Sequence, residues 1–308
     1  MARAAASEAA GKAAHRLRKS RKISIAMQDL IQSSRRRLLG VGGFCTVEQA
    51  AYQETDCAVK RLKPATMADQ RKYVMGAQDL AAEATMLTSL QHENIVQVKG
   101  MSPGTVQESV ERSEGFYLVM EKLELTLDKQ ITEWAKTIKP TIRTRRALLK
   151  ERMNVALPLA KALAYLHSQD ICHRDVKPGN IGFDEDGVLK VFDLGIAVHI
   201  PNGQYKKAAA GTTRYMAPEM LRRQPYNVQA DVYSFAMVLY EICALCKPFS
   251  GESNKRFFVD IVATNGQRPR VPMWWPGNVK SLLAACWDGD FRKRPTMKAV
   301  VAKLEKIL

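Results

Sequence analysis

The sequence predicts an α+β protein in two parts, a small sheet-rich lobe followed by a larger, mainly helical one. Three observations carry this. Between residues 38 and 121, short apolar runs alternate with turn residues around a single helical stretch. After Glu121, apolar residues recur at helical spacing over long segments. The chain has 308 residues, 46% hydrophobic and 25% charged, the composition of a globular protein with ample core capacity. That mixture excludes a wholly disordered chain, a collagen-like repeat and a disulfide mini-protein.

The elements follow in order. Residues 1–36 read as a basic, flexible arm with a short helix at Ile23–Ile31. Leu38–Val47 and Glu48–Gln53 read as two strands around a glycine turn, and Asp56–Lys63 as a third. Leu80, Ala84, Leu87 and Leu90 set a helix over residues 76–90. Ile95–Lys99 and Phe116–Glu121 are strands, with a polar insertion over Met101–Gly115. Thr137–Lys150 reads as a second surface insertion. Val155, Leu159, Leu163 and Leu166 share one face of a helix over residues 145–168. Asp186-Gly187 turns a hairpin between Asn180–Phe183 and Val188–Phe192. Residues 226–246, 278–287 and 296–307 complete the helices, and Trp274, Trp275 and Trp287 read as packing residues. A cleft between two such lobes is a natural ligand site.

Charge is the compositional outlier: 47 Lys and Arg against 31 acids, formally +16. Residues 1–38 hold ten of those bases and two acids, a net +8, so half the excess sits in the arm. The arm could be a solvated linker, a targeting or nuclear-import signal, or a docking segment. No recognised nucleic-acid module or aromatic platform accompanies it, so no specific nucleic-acid partner is expected. No run of 18 apolar residues exists, so no membrane span is expected. The six cysteines form no paired framework and read as free thiols of a reducing, intracellular compartment. The cytoplasm is the first expectation, with nuclear or organelle targeting through the arm as the alternative. Cys243 and Cys246 form a lone C-x-x-C without a second pair, read as core cysteines on a buried helix rather than zinc ligands.

Three constellations carry chemistry. Gly40-Val41-Gly42-Gly43-Phe44-Cys45-Thr46-Val47 lies in a strand–turn–strand context, where glycines let backbone N–H groups approach phosphate oxygens. No helix follows it, against a dinucleotide fingerprint, and no Gly-Lys-Ser/Thr follows, against a Walker A loop. Ala58-Val59-Lys60 places a lysine in an apolar strand, and Glu83 on the following helix could hold its ammonium against phosphates. The third is the most specific: His173-Arg174-Asp175-Val176-Lys177-Pro178-Gly179-Asn180, then Asp193-Leu194-Gly195. Here Asp175 can orient a hydroxyl and accept its proton. Lys177 can stabilise a transferring phosphoryl group, and Asn180 and Asp193 offer oxygens to Mg2+.

In that order, with Ala217-Pro218-Glu219, Asp231 and Arg294 behind them, these motifs make residues 37–308 resemble a eukaryotic protein kinase domain. The resemblance implies a bilobal kinase fold, with an N-lobe over 37–121 and a C-lobe over 122–308. It implies transfer of the γ-phosphoryl of Mg-ATP to protein hydroxyls in intracellular signalling. Lys60 would pair with Glu83 and the ATP phosphates, Asp175 would be the catalytic base, and Asn180 and Asp193 would hold Mg2+. Gly40, Gly42 and Gly43 would cover the phosphates. Val41, Val47 and Ala58 would pack on adenine, Met120 would guard the back pocket, and the backbones of Glu121 and Leu123 would bind the base. His173 and Arg174 would be structural, as would a Glu219–Arg294 ion pair, and Asp231 would anchor the catalytic loop. Lys177 and the run Gly211-Thr212-Thr213 look Ser/Thr-type, with Thr212 helping to bind the acceptor hydroxyl. Asp231-Val232-Tyr233-Ser234-Phe235 and Cys286-Trp287 look like the tyrosine kinase-like group of Ser/Thr kinases.

Departures from the pattern refine these expectations. Cys45 occupies the third glycine position, which implies an altered loop with activity retained. Leu194 replaces the usual Phe. Gly182 stands where a leucine normally floors the adenine pocket, which bears on ATP affinity. Ala208 stands where many kinases carry a phosphorylated threonine, so Arg174 lacks that partner and activation is expected not to need that phosphate. Tyr205, Thr212 and Thr213 remain modifiable. Two rivals are a pseudokinase scaffold, opposed by the complete set Lys60, Glu83, Asp175, Asn180 and Asp193, and a nonspecific nucleic-acid binder acting through the arm. Deletion of residues 1–36 is expected to leave phosphotransfer intact.

Overall fold

The computed structural model describes residues 24–30, 37–105, 108–109, 115–137 and 142–308. The chain is α+β and divides into two compact units. The first takes residues up to Gln91 with Ile95–Glu124 and Asp193–Gly195, and the second takes His92–Asn94, Leu125–Phe192 and Ile196–Leu308. The expected boundary at residue 121 therefore moves to Glu124, and Asp193–Gly195 joins the first unit although its sequence neighbours belong to the second.

The first unit is built on β1 (Leu38–Val41), β2 (Cys45–Tyr52), β3 (Thr55–Leu62), β4 (Val98–Met101) and β5 (Tyr117–Glu121), in one antiparallel sheet of order β1-β2-β3-β5-β4. Its register sets Val47 opposite Lys60 and Ala58 opposite Met120. The first strand, expected to run to Val47, ends at Val41: Gly42 N–H bonds to the Cys45 carbonyl, and β2 starts at Cys45 rather than Glu48.

Helix α1 (Gln70–Thr88) begins six residues before the expected residue 76. Asp69 caps it, its carboxylate accepting from the Arg71 and Lys72 N–H groups. Its buried positions, Tyr73, Gly76, Ala77, Leu80, Glu83, Ala84 and Leu87, recur at the helical period, so Glu83 lies on the packed face. Gly76 makes the close approach possible: a Cβ there would come within 2.8 Å of Leu62 Cδ2.

Residues 24–30 correct the expected arm boundary at residue 36. Ile25 and Leu30 are buried in a cluster with Ala50, Cys57, Val59, Tyr117 and Val119. Ile25 N–H donates to the Met101 carbonyl, and the Tyr117 hydroxyl donates to the Ile25 carbonyl at 2.8 Å. Of the helix expected at Ile23–Ile31, the described residues form one 3-10 turn, Met27–Asp29, and residues 1–23 and 31–36 lie outside the described residues. Met101–Gly115 is likewise no mere surface insertion. Met101 belongs to β4, and buried Ser109 shares a hydrogen bond with Tyr73.

In the second unit, α2 (Leu127–Thr137) and α3 (Ile142–Met153) replace the expected insertion over Thr137–Lys150, with Leu149 buried. The helix expected over residues 145–168 breaks before α4 (Ala156–Ser168). Pro158 has no N–H to bond the turn behind it, so it is accommodated in the first turn of a new helix. Strands β6 (Leu125–Thr126), β8 (Ile181–Phe183) and β9 (Leu189–Val191) form one small sheet, while β7 (Ile171–Cys172) pairs with β10 (Val198–His199). Gly182 is buried in β8 opposite Thr126 and Lys190.

Helix α5 (Gln229–Ala244) is buried at every position from Ala230 to Cys243, as its nearly unbroken apolar sequence requires. It ends on Leu245 in the left-handed conformation, so Cys243 is buried while Cys246, expected in the core, is exposed. Helices α6 (Gly277–Cys286) and α7 (Met297–Ile307) complete the unit. Trp275 and Trp287 are buried against Tyr240, as packing residues. Arg294 meets Glu219 in a buried two-bond ion pair at 2.7 and 2.8 Å. Arg294 also donates to the Asp288 and Gln229 carbonyls, so little of the burial cost is left unmet.

Candidate active site

In the first unit, β3 carries Lys60, α1 carries Glu83, and the tripeptide Asp193–Gly195 returns to meet them. Lys60 Nζ donates to both Glu83 oxygens, at 2.9 and 2.7 Å, and to Asp193 Oδ1 at 3.0 Å. Burial disfavours the charged form of both Lys60 and Glu83. At Lys60 the two carboxylates outweigh burial and hold the amine protonated, its pKa raised. At Glu83 burial pushes the carboxyl upward against the pull of Lys60. Two short bonds from one ammonium identify the carboxylate as the form present in this geometry. Asp193 sits at φ 63°, a left-handed backbone uncommon outside glycine. Close by, half-buried Cys45 has its thiol pushed up by burial, so it is not an activated nucleophile.

In the second unit, Asp175 stands at the centre of a hydrogen-bonded ring. Its Oδ1 accepts the Thr212 N–H at 2.8 Å, and its Oδ2 accepts from Lys177 Nζ at 2.6 Å and Asn180 Nδ2 at 3.0 Å. Lys177 Nζ also donates to the Thr212 hydroxyl at 3.0 Å. The loop is anchored from α5: Asp231, fully buried, accepts the main-chain N–H groups of His173 and Arg174 and a bond from His167 Nε2. Burial alone would raise the Asp231 carboxyl, but the bonds from His167 and His173 N–H hold it below the usual carboxylate range. Gly211 crosses this loop at φ 114°. A Cβ there would lie 2.2 Å from the Arg174 carbonyl oxygen, so no other residue fits.

The donors suit a magnesium nucleotide. An ammonium and a turn at Gly42 and Gly43 with almost nothing where a Cβ would stand are matched to phosphate oxygens. Asp193 in the first unit and Asn180 in the second each carry an oxygen, the ligand type that Mg2+ prefers. Asn180 spends its N–H group on Asp175, which turns its amide oxygen the other way.

Among the other expected site residues, Gly40 pairs with Val47 across the turn, Val41 is exposed, and Leu123 is half-buried. The Glu121 side chain accepts the Gln97 N–H. Tyr205 is exposed, its ring edge against Phe291, and Thr213 is half-buried. Sequence reasoning missed His167 and Tyr226. The first gives its signal only as a polar residue on an apolar helix end, and the second gives none.

The sequence profile of the protein kinase domain matches residues 33–304. A probable serine/threonine-protein kinase of Dictyostelium discoideum is 32% identical over 87% of this chain and 19% of its own length. The dual specificity protein kinase shkE of the same organism is 30% identical over 88% of this chain and 36% of itself. The serine/threonine-protein kinase mos of Patiria pectinifera is 30% identical over 87% of this chain and 73% of itself. The chain thus spans well under half of the first two relatives' lengths.

Proposed function

The chain belongs to the protein kinase domain family, and on that premise we propose that it is a Ser/Thr protein kinase of the tyrosine kinase-like group, acting on protein hydroxyls with Mg-ATP. The observation that carries this reading is Lys177 Nζ bridging the Asp175 carboxylate and the Thr212 hydroxyl. A proton acceptor, a cation and a hydroxyl-binding residue are held there in one network. Mg-ATP, when bound, supplies the γ-phosphoryl group and the metal charge that offsets its oxygens.

The chain's own residues divide the remaining work. Lys60, fixed by Glu83, meets phosphate oxygens with an ammonium that stays protonated. Asp193 would supply an oxygen to Mg2+, and Asn180 would supply another. Asp175 orients the substrate hydroxyl and takes its proton at a carboxylate oxygen, and Lys177 offsets the charge of the transferring group. The six free cysteines support an intracellular, reducing compartment. Among the described residues no helix is long and apolar enough to cross a membrane.

A scaffold with the same fold would not turn over ATP. ATP consumption by wild type and Asp193→Ala separates the two readings. The variant is expected to lose about 10²–10³-fold in kcat, the range for removing one pre-organised electrostatic group; equal rates would sink the enzyme reading.

A further inference from the structure

We propose that Tyr226 is a positioning residue that couples the segment 206–212 to Asp175 through Arg174, without phosphorylation of that segment. The side chain of Tyr226 is fully buried. Its hydroxyl donates to the Ala208 carbonyl at 2.8 Å and accepts from Arg174 Nη1 at 3.2 Å. Its main chain exchanges two hydrogen bonds with Lys206, both 2.9 Å. One residue therefore ties the segment at 206 and at 208.

Arg174 closes the circuit. Its Nε donates to the Ile196 carbonyl, and its main-chain N–H is fixed by Asp231. Its φ of 67° is a strained value for a non-glycine residue, held by these contacts. The next residue is Asp175, whose Oδ1 takes the Thr212 N–H. The path Asp175–Arg174–Tyr226–Ala208–Thr212–Asp175 is a closed ring of covalent links and hydrogen bonds. Within it the Arg174 carbonyl occupies the space that a Cβ on Gly211 would need. The guanidinium gives its bonds to a carbonyl and a phenol oxygen, and Ala208 has no hydroxyl to modify. The order that a phosphate would impose through new Arg bonds is here supplied by a buried tyrosine.

The inference rests on the kinase reading, and its test uses the full chain after phosphatase treatment. Wild type is expected to keep its turnover when dephosphorylated. Tyr226→Phe preserves the packed ring and removes both hydroxyl bonds. It is expected to keep the KM for ATP within about two-fold and lose roughly 10-fold in kcat per folded molecule. Amide exchange over residues 206–212 is expected to quicken in the variant, a readout independent of turnover. Arg174→Leu supplies a second arm: if the two side chains act through each other, the double variant is no slower than the slower single one. A purely structural role would lower Tm with kcat per folded molecule unchanged. That result, additive single effects, unchanged exchange, or loss of wild-type turnover on dephosphorylation overturns the inference. Absence of turnover in wild type before phosphatase treatment instead overturns the kinase reading itself.

Discussion

Asp175→Asn is expected to cut phosphotransfer by about 10²–10⁴-fold, the range for removing a positioned general base. The substitution keeps the side-chain volume and one acceptor oxygen. It sets an amide NH2 against donors on one side, either the Thr212 N–H or the pair Lys177 and Asn180. That clash costs about 1–3 kcal/mol of stability, too little to unfold a domain of ordinary stability. The expected result is a folded protein with a modestly lowered Tm, near-normal nucleotide binding and almost no product. The comparison requires steady-state kcat and a thermal melt on the same preparation. A variant retaining more than a tenth of wild-type kcat would remove Asp175 from the chemistry.

Deleting residues 1–30 is the second large effect, and it reverses the expectation that the whole N-terminal arm is accessory. Ile25 and Leu30 are almost fully buried, and truncating an aliphatic side chain at such a site costs about 2–5 kcal/mol. Deletion removes both, exposes the side of the sheet formed by Ala50, Val59, Tyr117 and Val119, and leaves the Tyr117 hydroxyl without the Ile25 carbonyl. The combined loss is comparable with the 5–15 kcal/mol that stabilises a typical domain. A urea midpoint shifted far down, or an insoluble product, is expected. Ile25→Ala should show an intermediate midpoint with kcat per folded molecule intact. A truncated protein that melts with the full chain would show that the cluster is not a source of stability.

The contrast between these two sites explains what the sequence could reveal. Lys60, Glu83, Asp175, Asn180 and Asp193 stood out in the sequence because the proposed chemistry demands particular residue types at particular spacings. The structure joins Lys60, Glu83 and Asp193 in one cluster and Asp175 and Asn180 in another. Ile25 and Leu30 carried no such mark. They sit in a stretch dominated by Arg and Lys, and Tyr117, which bonds to Ile25, lies 92 residues away. Periodicity cannot show a partner at that distance.

Tyr226 was silent for the same reason, since its hydroxyl acts on Arg174, 52 residues earlier in the chain. The break before α4 was readable in principle from Pro158, and the early start of α1 from Asp69. In both cases a local stop or cap signal was overridden by apolar spacing. Cys246 fell outside the core because α5 ends at Ala244 and the chain turns through Leu245, a turn with no glycine to announce it.

The most direct test of the central claim is a positional-scanning peptide array with fixed Ser, Thr or Tyr acceptors. Purified chain and Mg-ATP are added, and phosphate is localised by mass spectrometry. Phosphate on Ser and Thr peptides, abolished by omitting Mg2+ and by Asp175→Asn, is the predicted result. No incorporation, incorporation confined to Tyr peptides, or equal labelling by Asp175→Asn would contradict it.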